Sequence, residues 1–220
     1  METDVKLNTA RLLPLIGFFV MTGASADVII DNTTEGHYNA GLGDLHLIDG
    51  EGGFLPGPNI SEGDPTIVLE SDPELAFTDE FGSDWLNGDF TGGTWSTNPV
   101  SIPSTWAVNT ETAIVYNFSL AGSSDLFIDV DIDNGVIIWL NGGFLFGATA
   151  PGGTLDEYLI DVPSLAAGDY SLQILRADHG GLTGFGINVT ATAVPEPATL
   201  ALLGIGLLGV GFARKRKSGV

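Results

Sequence analysis

Four segments of the chain alternate apolar and polar positions with a period of two. Ile114, Tyr116, Phe118 and Leu120 alternate with Val115, Asn117 and Ser119. Leu126, Ile128, Val130 and Ile132 alternate with Phe127, Asp129, Asp131 and Asp133. Tyr170, Leu172, Ile174 and Arg176 alternate with Ser171, Gln173, Leu175 and Ala177, and Phe185, Ile187 and Val189 with Gly186, Asn188 and Thr190. That period belongs to half-buried antiparallel strands. Three groups between them, Asp133-Asn134-Gly135, Asn141-Gly142-Gly143 and Ala167-Gly168-Asp169, have the composition of hairpin turns. From Asp27 to Thr192 no long stretch shows a 3.6 period. The pattern predicts an all-β, antiparallel two-sheet β-sandwich, with strands near 28–31, 66–69, 112–120, 125–132, 136–141, 144–147, 157–161, 169–177 and 184–192.

The first half is less regular. Residues 49–65 and 78–104 are rich in Gly, Pro, Asn and Asp and read as long loops. No repeat or linker divides the chain, which gives one body over 27–193.

Charge narrows the functions open to that body. Of 28 acidic residues, all but Glu2, Asp4 and Glu196 lie between Asp27 and Ala193, which leaves 25 there against a single base, Arg176. A net charge of −24 over that span argues against nucleic-acid binding, since phosphate recognition needs clustered Lys and Arg. The chain has no cysteine, which excludes disulfides, thiolate metal sites and a cysteine nucleophile.

Both ends are apolar. Residues 1–26 read as a signal peptide: Lys6 and Arg11 precede an apolar run from Leu12 to Met21, and Ala24-Ser25-Ala26 is a small-x-small site cut before Asp27. The alternative is a buried N-terminal helix. At the other end, Val194-Pro195-Glu196-Pro197 leads into the apolar segment 198–213, closed by Arg214-Lys215-Arg216-Lys217. As a transmembrane helix that segment would span about 24 Å, a little short of a hydrocarbon core of about 30 Å. The basic cluster would lie on the cytoplasmic side. Gly204, Gly206 and Gly209 match a dinucleotide fingerprint in letters alone, with no preceding strand.

This ordered ending, residues 194–217, resembles the PEP-CTERM sorting signal. The resemblance implies an exosortase substrate in an exopolysaccharide-producing Gram-negative bacterium. Such a substrate is held transiently in the inner membrane, cut near Pro195-Glu196-Pro197, and then released or attached at the cell surface. An unprocessed anchor is the alternative.

The second half of the body, about residues 100–192, resembles the galactose-binding-like jelly roll. The residues that carry this are Trp106, the strand 114–120, the run from Asp131 to Gly142, and Leu165 to Leu172. These are hairpin and core features, so the resemblance implies a jelly-roll-like fold more than a ligand.

Candidate chemistry is sparse. Asp129-x-Asp131-x-Asp133 opens like an EF-hand loop, but Asn134 stands where the glycine belongs and Leu140 where the bidentate acid belongs. On a strand the three carboxylates share a face at intervals of about 6–7 Å, either a calcium ladder or a solvated face. Trp85 and Trp95, in the Gly-rich region, are candidates for stacking on a sugar ring, whereas Trp106 and Trp139 read as core. Trp139 shares its parity with Ile137, opposite Val136, Ile138 and Leu140. His37, His46 and His179 have no ligand spacing. No nucleophile elbow or phosphate loop is present. These residues lead to an expected non-enzymatic surface or matrix protein with no obligatory cofactor, calcium being the one candidate ion. The alternatives are a carbohydrate-binding module and a secreted glycan hydrolase acting through two carboxylates.

Overall fold

The structure is a computed structural model that describes residues 25–45, 66–73, 81, 84–90, 94–150, 156–178, 180–195 and 206. Residues 1–24 of the signal peptide, Glu196 and Pro197 of the sorting motif, and the apolar and basic parts of the tail lie outside these residues, apart from Gly206. Among the described residues no helix is long and apolar enough to cross a membrane.

The described strands, in chain order, are β1 (Ala26–Ile30), β2 (Glu35–Gly43), β3 (Ile67–Val68), β4 (Val100–Ser101), β5 (Glu111–Leu120), β6 (Ser124–Asp133), β7 (Gly135–Leu140), β8 (Gly143–Thr149), β9 (Asp156–Leu165), β10 (Gly168–Ala177) and β11 (Gly184–Ala193). They form an antiparallel sandwich. One sheet has the order β1-β11-β6-β9 and the other β3-β8-β7-β10-β5-β2-β4. All nine expected strands are present, and β2 and β4 are added to them.

Of the three expected hairpin turns, one joins neighbouring strands. Asn141 and Gly142 carry φ of 49° and 74° between β7 and β8, the left-handed pair that a two-residue hairpin needs. The other two are corrected. Asp133-Asn134-Gly135 and Ala167-Gly168-Asp169 carry the chain from one sheet to the other, because β6 and β9 belong to the small sheet and β7 and β10 to the large one. Their composition suits any sharp reversal, and only the burial of both flanking strands decides which sheet each joins.

Between the sheets lies the main core. Ile128, Val130, Ile132, Ile187 and Val189 from the small sheet meet Ile114, Tyr116, Val136, Ile138, Leu172 and Ile174 from the large one. The opposite face of the large sheet is covered too. Ala113, Val115, Ile137, Trp139 and Leu175 pack there against Leu42, Leu45, Phe81 and Trp85. This explains why β5 is buried without interruption from Glu111 to Tyr116. Trp139 and Ile137 thus take the face that their parity predicts, away from Val136 and Ile138.

Polar pins hold the cover in place. Buried Glu111 accepts from the Leu45 N–H at 2.7 Å. Gln173 donates to Leu86 O at 2.7 Å, the Trp139 indole N–H donates to Asp72 Oδ2 at 3.1 Å, and Thr94 Oγ1 donates to Asn39 Oδ1 at 2.7 Å. Each satisfies a polar group that would cost about 1–3 kcal/mol if buried alone.

Candidate functional site

The small sheet turns one face to the core and the other outward. Along β6 the even positions Leu126 to Ile132 are buried, so Asp125, Phe127, Asp129 and Asp131 project outward. Asp129 lies opposite Asn188 of β11, and Asp131 opposite Gly186. A Cβ at Gly186 would sit 3.0 Å from Asp131 Oδ2, so the glycine makes room for the carboxylate.

The turn after β1 closes one side. Asp31 Oδ1 accepts from the Thr33 N–H at 2.8 Å and from Thr33 Oγ1 at 2.7 Å, and Asn32 Oδ1 accepts from the Ile187 N–H at 2.8 Å. The result is a cleft of about 310 Å³ lined by Asp31, Asn32, Thr33, Asp129, Asp131, Ile187 and Asn188. Asp129 Oδ1 is buried with no hydrogen-bond partner among the described residues. Burial, and then the charge of Asp129, raise the pKa of Asp131. The bonds from Thr33 lower that of Asp31. An orphan acceptor beside a carboxylate held above its ordinary range favours a ligand that brings hydrogen-bond donors.

Asp133 does not join this cleft. It is buried at the end of β6, and its Oδ1 accepts from the Asn134 side-chain amide at 2.9 Å. The three-carboxylate ladder is therefore divided, two side chains at a cleft and one in the interior. Asp129 and Asp131 are half-buried on this outward face, and Asp125 and Phe127 on the same face are exposed. Among the described residues no group of three or more acids and histidines is arranged to hold a metal ion. Sequence reading missed Asn188 and the Asp31–Thr33 turn. The Asp-Asn-Thr-Thr composition signals a turn, but its place beside Asp129 depends on the order β1-β11-β6.

The tryptophans have different surroundings from those expected. Trp85 is buried, its ring 5.0 Å from Phe81, 5.7 Å from Trp95 and 5.6 Å from Trp139. It is not a rim platform, because the apolar outer face of the large sheet draws it in as cover. Trp95 is half-buried, and its indole N–H donates to Phe81 O. Trp85 and Phe90 pack against its ring, which makes Trp95 part of the same aromatic cover. His37 stacks on Phe90 at 4.6 Å, and His46 and His179 lie outside the described residues.

At one end of the small sheet the two ends of the body meet. Asp27, the first residue of the body, pairs with Ala191, Ala26 before it pairs with Thr192, and Ser124 pairs with Ala193 on the other side. The Val194 N–H then donates to Ser123 O at 2.8 Å. Pro195 follows, exposed, with no residue between it and that last bond.

Distant similarity to solved structures accompanies this architecture. A beta-glucuronidase from Ruminococcus gnavus is 12% identical over 80% of this chain and 29% of its own, with a TM-score of 0.42. A beta-glucuronidase from an uncultured Clostridium sp. is 11% identical over 81% and 31%, also at 0.42. The PA14 domain of the MpAFP antifreeze protein is 19% identical over 79% and 87%, at 0.27. The chain spans under a third of the length of either glucuronidase, and likeness of this degree carries nothing about activity. Among curated proteins no match was found. Residues 193–217 match the PEP-CTERM protein-sorting motif, which implies an exported chain processed by an exosortase and sorted to the cell surface.

Proposed function

We propose that this chain is a non-enzymatic cell-surface or extracellular-matrix protein, its jelly-roll-like body delivered by the C-terminal tail into a polysaccharide-rich envelope. The observation that carries the reading is the sorting motif at 193–217. Its order is Pro195-Glu196-Pro197, then the apolar run 198–213, then the basic cluster 214–217. In this reading the signal peptide 1–26 starts export, the run 198–213 holds the chain transiently in the inner membrane, and cutting near the Pro-Glu-Pro releases the body. Prolines keep that lead-in extended and outside the helix. The body's buried polar side chains support a structural role: Glu111, Gln173 and Arg176 all bond to neighbouring backbone or side chains. Mass spectrometry of both ends of the mature protein in its host is the test. A product beginning at Asp27 and lacking Arg214–Lys217 is expected, and a surface product that retains those bases would refute processing.

A second reading, a carbohydrate-binding module, is favoured by the orphan Asp129 Oδ1 in the outer cleft. Sugar hydroxyls are donors of the kind that oxygen lacks. Binding to host exopolysaccharide, lost on Asp129→Ala with the melting temperature retained, would support it. Unchanged binding by that variant would remove the cleft from consideration.

A further inference from the structure

The tail leaves the body without a spacer, and this has a consequence for the enzyme that cuts it. β11 runs in register with β6 up to Ala193, and the next residue still bonds across the fold, Val194 N–H to Ser123 O at 2.8 Å. Along the chain, a scissile bond within Pro195-Glu196-Pro197 follows Val194 by at most three residues, about 10 Å of fully extended chain at about 3.5 Å per residue. Any protease that reaches this bond must bring its own surface against that end of the sandwich.

We propose that this pole, formed by the β5–β6 connection 121–123, the β9–β10 connection 166–167 and the paired ends of β1 and β11, is the docking face for the membrane-embedded sorting enzyme. The inference rests on the reading of the tail as a processed sorting signal and adds the surface through which processing is controlled. The connections are Ala121-Gly122-Ser123 and Ala166-Ala167, without a charged side chain in a body that carries 25 acids. The nearest acids stand one step back on the strands: Asp27 on β1, Asp125, which accepts from the Ser164 N–H at 2.8 Å, and Asp169, which accepts from Ser119 Oγ at 2.6 Å. The tether fixes which end of the body faces the enzyme, and the short, uncharged connections let the two surfaces close on the Pro-Glu-Pro segment.

Two glycines supply a matched test. Gly122 lies at this pole and Gly181 in the β10–β11 connection at the opposite end of β11, about 30 Å away along ten residues. A Cβ at either position meets nothing within 4 Å, so a side chain can start from either without a clash, and the melting temperature checks that the indole is accommodated. The experiment follows conversion of full-length protein to the shortened form in a host that has the sorting enzyme, and checks folding by melting temperature. Gly122→Trp is expected to slow conversion by about tenfold, because small displacements of a scissile bond carry large rate costs. Gly181→Trp is expected to convert like wild type. A flexible Gly-Ser spacer between Val194 and Pro195 is expected to restore the Gly122→Trp rate. Normal conversion of Gly122→Trp, equal slowing by Gly181→Trp, or slowing that the spacer fails to relieve would each overturn the docking face. Wild type that is never shortened, or is shortened equally after Pro195-Glu196-Pro197 is replaced by alanines, would instead overturn the sorting reading.

Discussion

The guanidinium of Arg176 lies 4.4 Å from the centroid of the Trp106 ring. It also lies 4.7 Å from Phe185 and 5.4 Å from Tyr38, inside the main core, with no exposed surface. Its Nε donates to Thr112 Oγ1, one terminal nitrogen to Pro103 O and the other to Tyr38 Oη, at 3.0, 2.9 and 3.2 Å. The one base of the body thus ties β10 to β2, β5, β11 and the segment before β5. Burial pushes its pKa down to about 10.

Arg176→Ala is expected to cost about 3 kcal/mol or more, since it leaves three acceptors unmet and a cavity among rings. Arg176→Lys keeps the charge but loses the planar fork, and falls between the two. A double-mutant cycle with Trp106→Ala should give a coupling of about 1–2 kcal/mol in urea unfolding. Because the folded pKa lies below the ordinary guanidinium value, deprotonation would favour the native state only at high pH. The Arg176 contribution should therefore be flat between neutrality and about pH 9.

A second prediction concerns the cover of the large sheet. A Cβ at Gly41 would stand 1.9 Å from Thr94 Oγ1 and 2.8 Å from Thr94 Cβ. Thr94 is held by its bond to Asn39, so Gly41→Ala must push the cover away at a cost of about 1–3 kcal/mol. Trp85, Trp95 and Trp139 meet at this layer, and their fluorescence should report the loosening before global unfolding. Adding Thr94→Gly restores the room but leaves one Asn39 bond unmade, so recovery should be partial. Unaltered stability of Gly41→Ala would contradict the geometry.

The sequence pattern made the sandwich legible wherever one strand face was wet. Leu126 to Ile132 alternate with acids, and that alternation is the observed inside and outside of β6. It failed at β2, whose Glu-Gly-His-Tyr-Asn-Ala-Gly-Leu-Gly text carries little apolar periodicity. Asn39 there is fully buried because Thr94 and the Gly41 N–H satisfy it, a partnership between segments far apart in the chain. Trp85 was misplaced for a related reason. Glycine-rich surroundings suggest a rim, and nothing local reveals that the far face of β7 and β10 is apolar and needs cover. The sorting tail was legible because its chemistry is contiguous, whereas the cleft at Asp129 is assembled from β6, β11 and the turn after β1.

The third prediction is a pH dependence from Asp131. Burial, then the Asp129 charge, raise its folded pKa above 3.8, so the charged form is disfavoured in the native state. Native stability from this group is present in full below the unfolded pKa and is lost as pH rises through the folded one. Asp131→Asn should therefore raise the melting temperature near pH 7, and the gain should shrink below about pH 4. A variant less stable than wild type at neutral pH would show that Asp131 is held by a favourable partner instead.

The last prediction joins the burial of Arg176 to the composition of the body. With that residue at zero exposure, Lys and Arg contribute no surface charge between Asp27 and Ala193, while 25 acids fall in the same span. Charges that are unpaired with bases repel over a Debye length of about 10 Å at 0.1 M salt and about 30 Å at 0.01 M. Compaction brings them closer than the unfolded chain does, so the folded state should lose stability as salt is removed. The melting temperature of the body is expected to rise with sodium chloride over this range and then level off. Calcium at matched ionic strength separates screening from binding, because a specific site adds stability that keeps growing with free ion. An equal response to both salts means screening alone, and an excess with calcium that disappears in Asp129→Asn would place the ion at the outer cleft. A melting temperature indifferent to either salt would show that the acids are spaced too widely on the folded surface to repel.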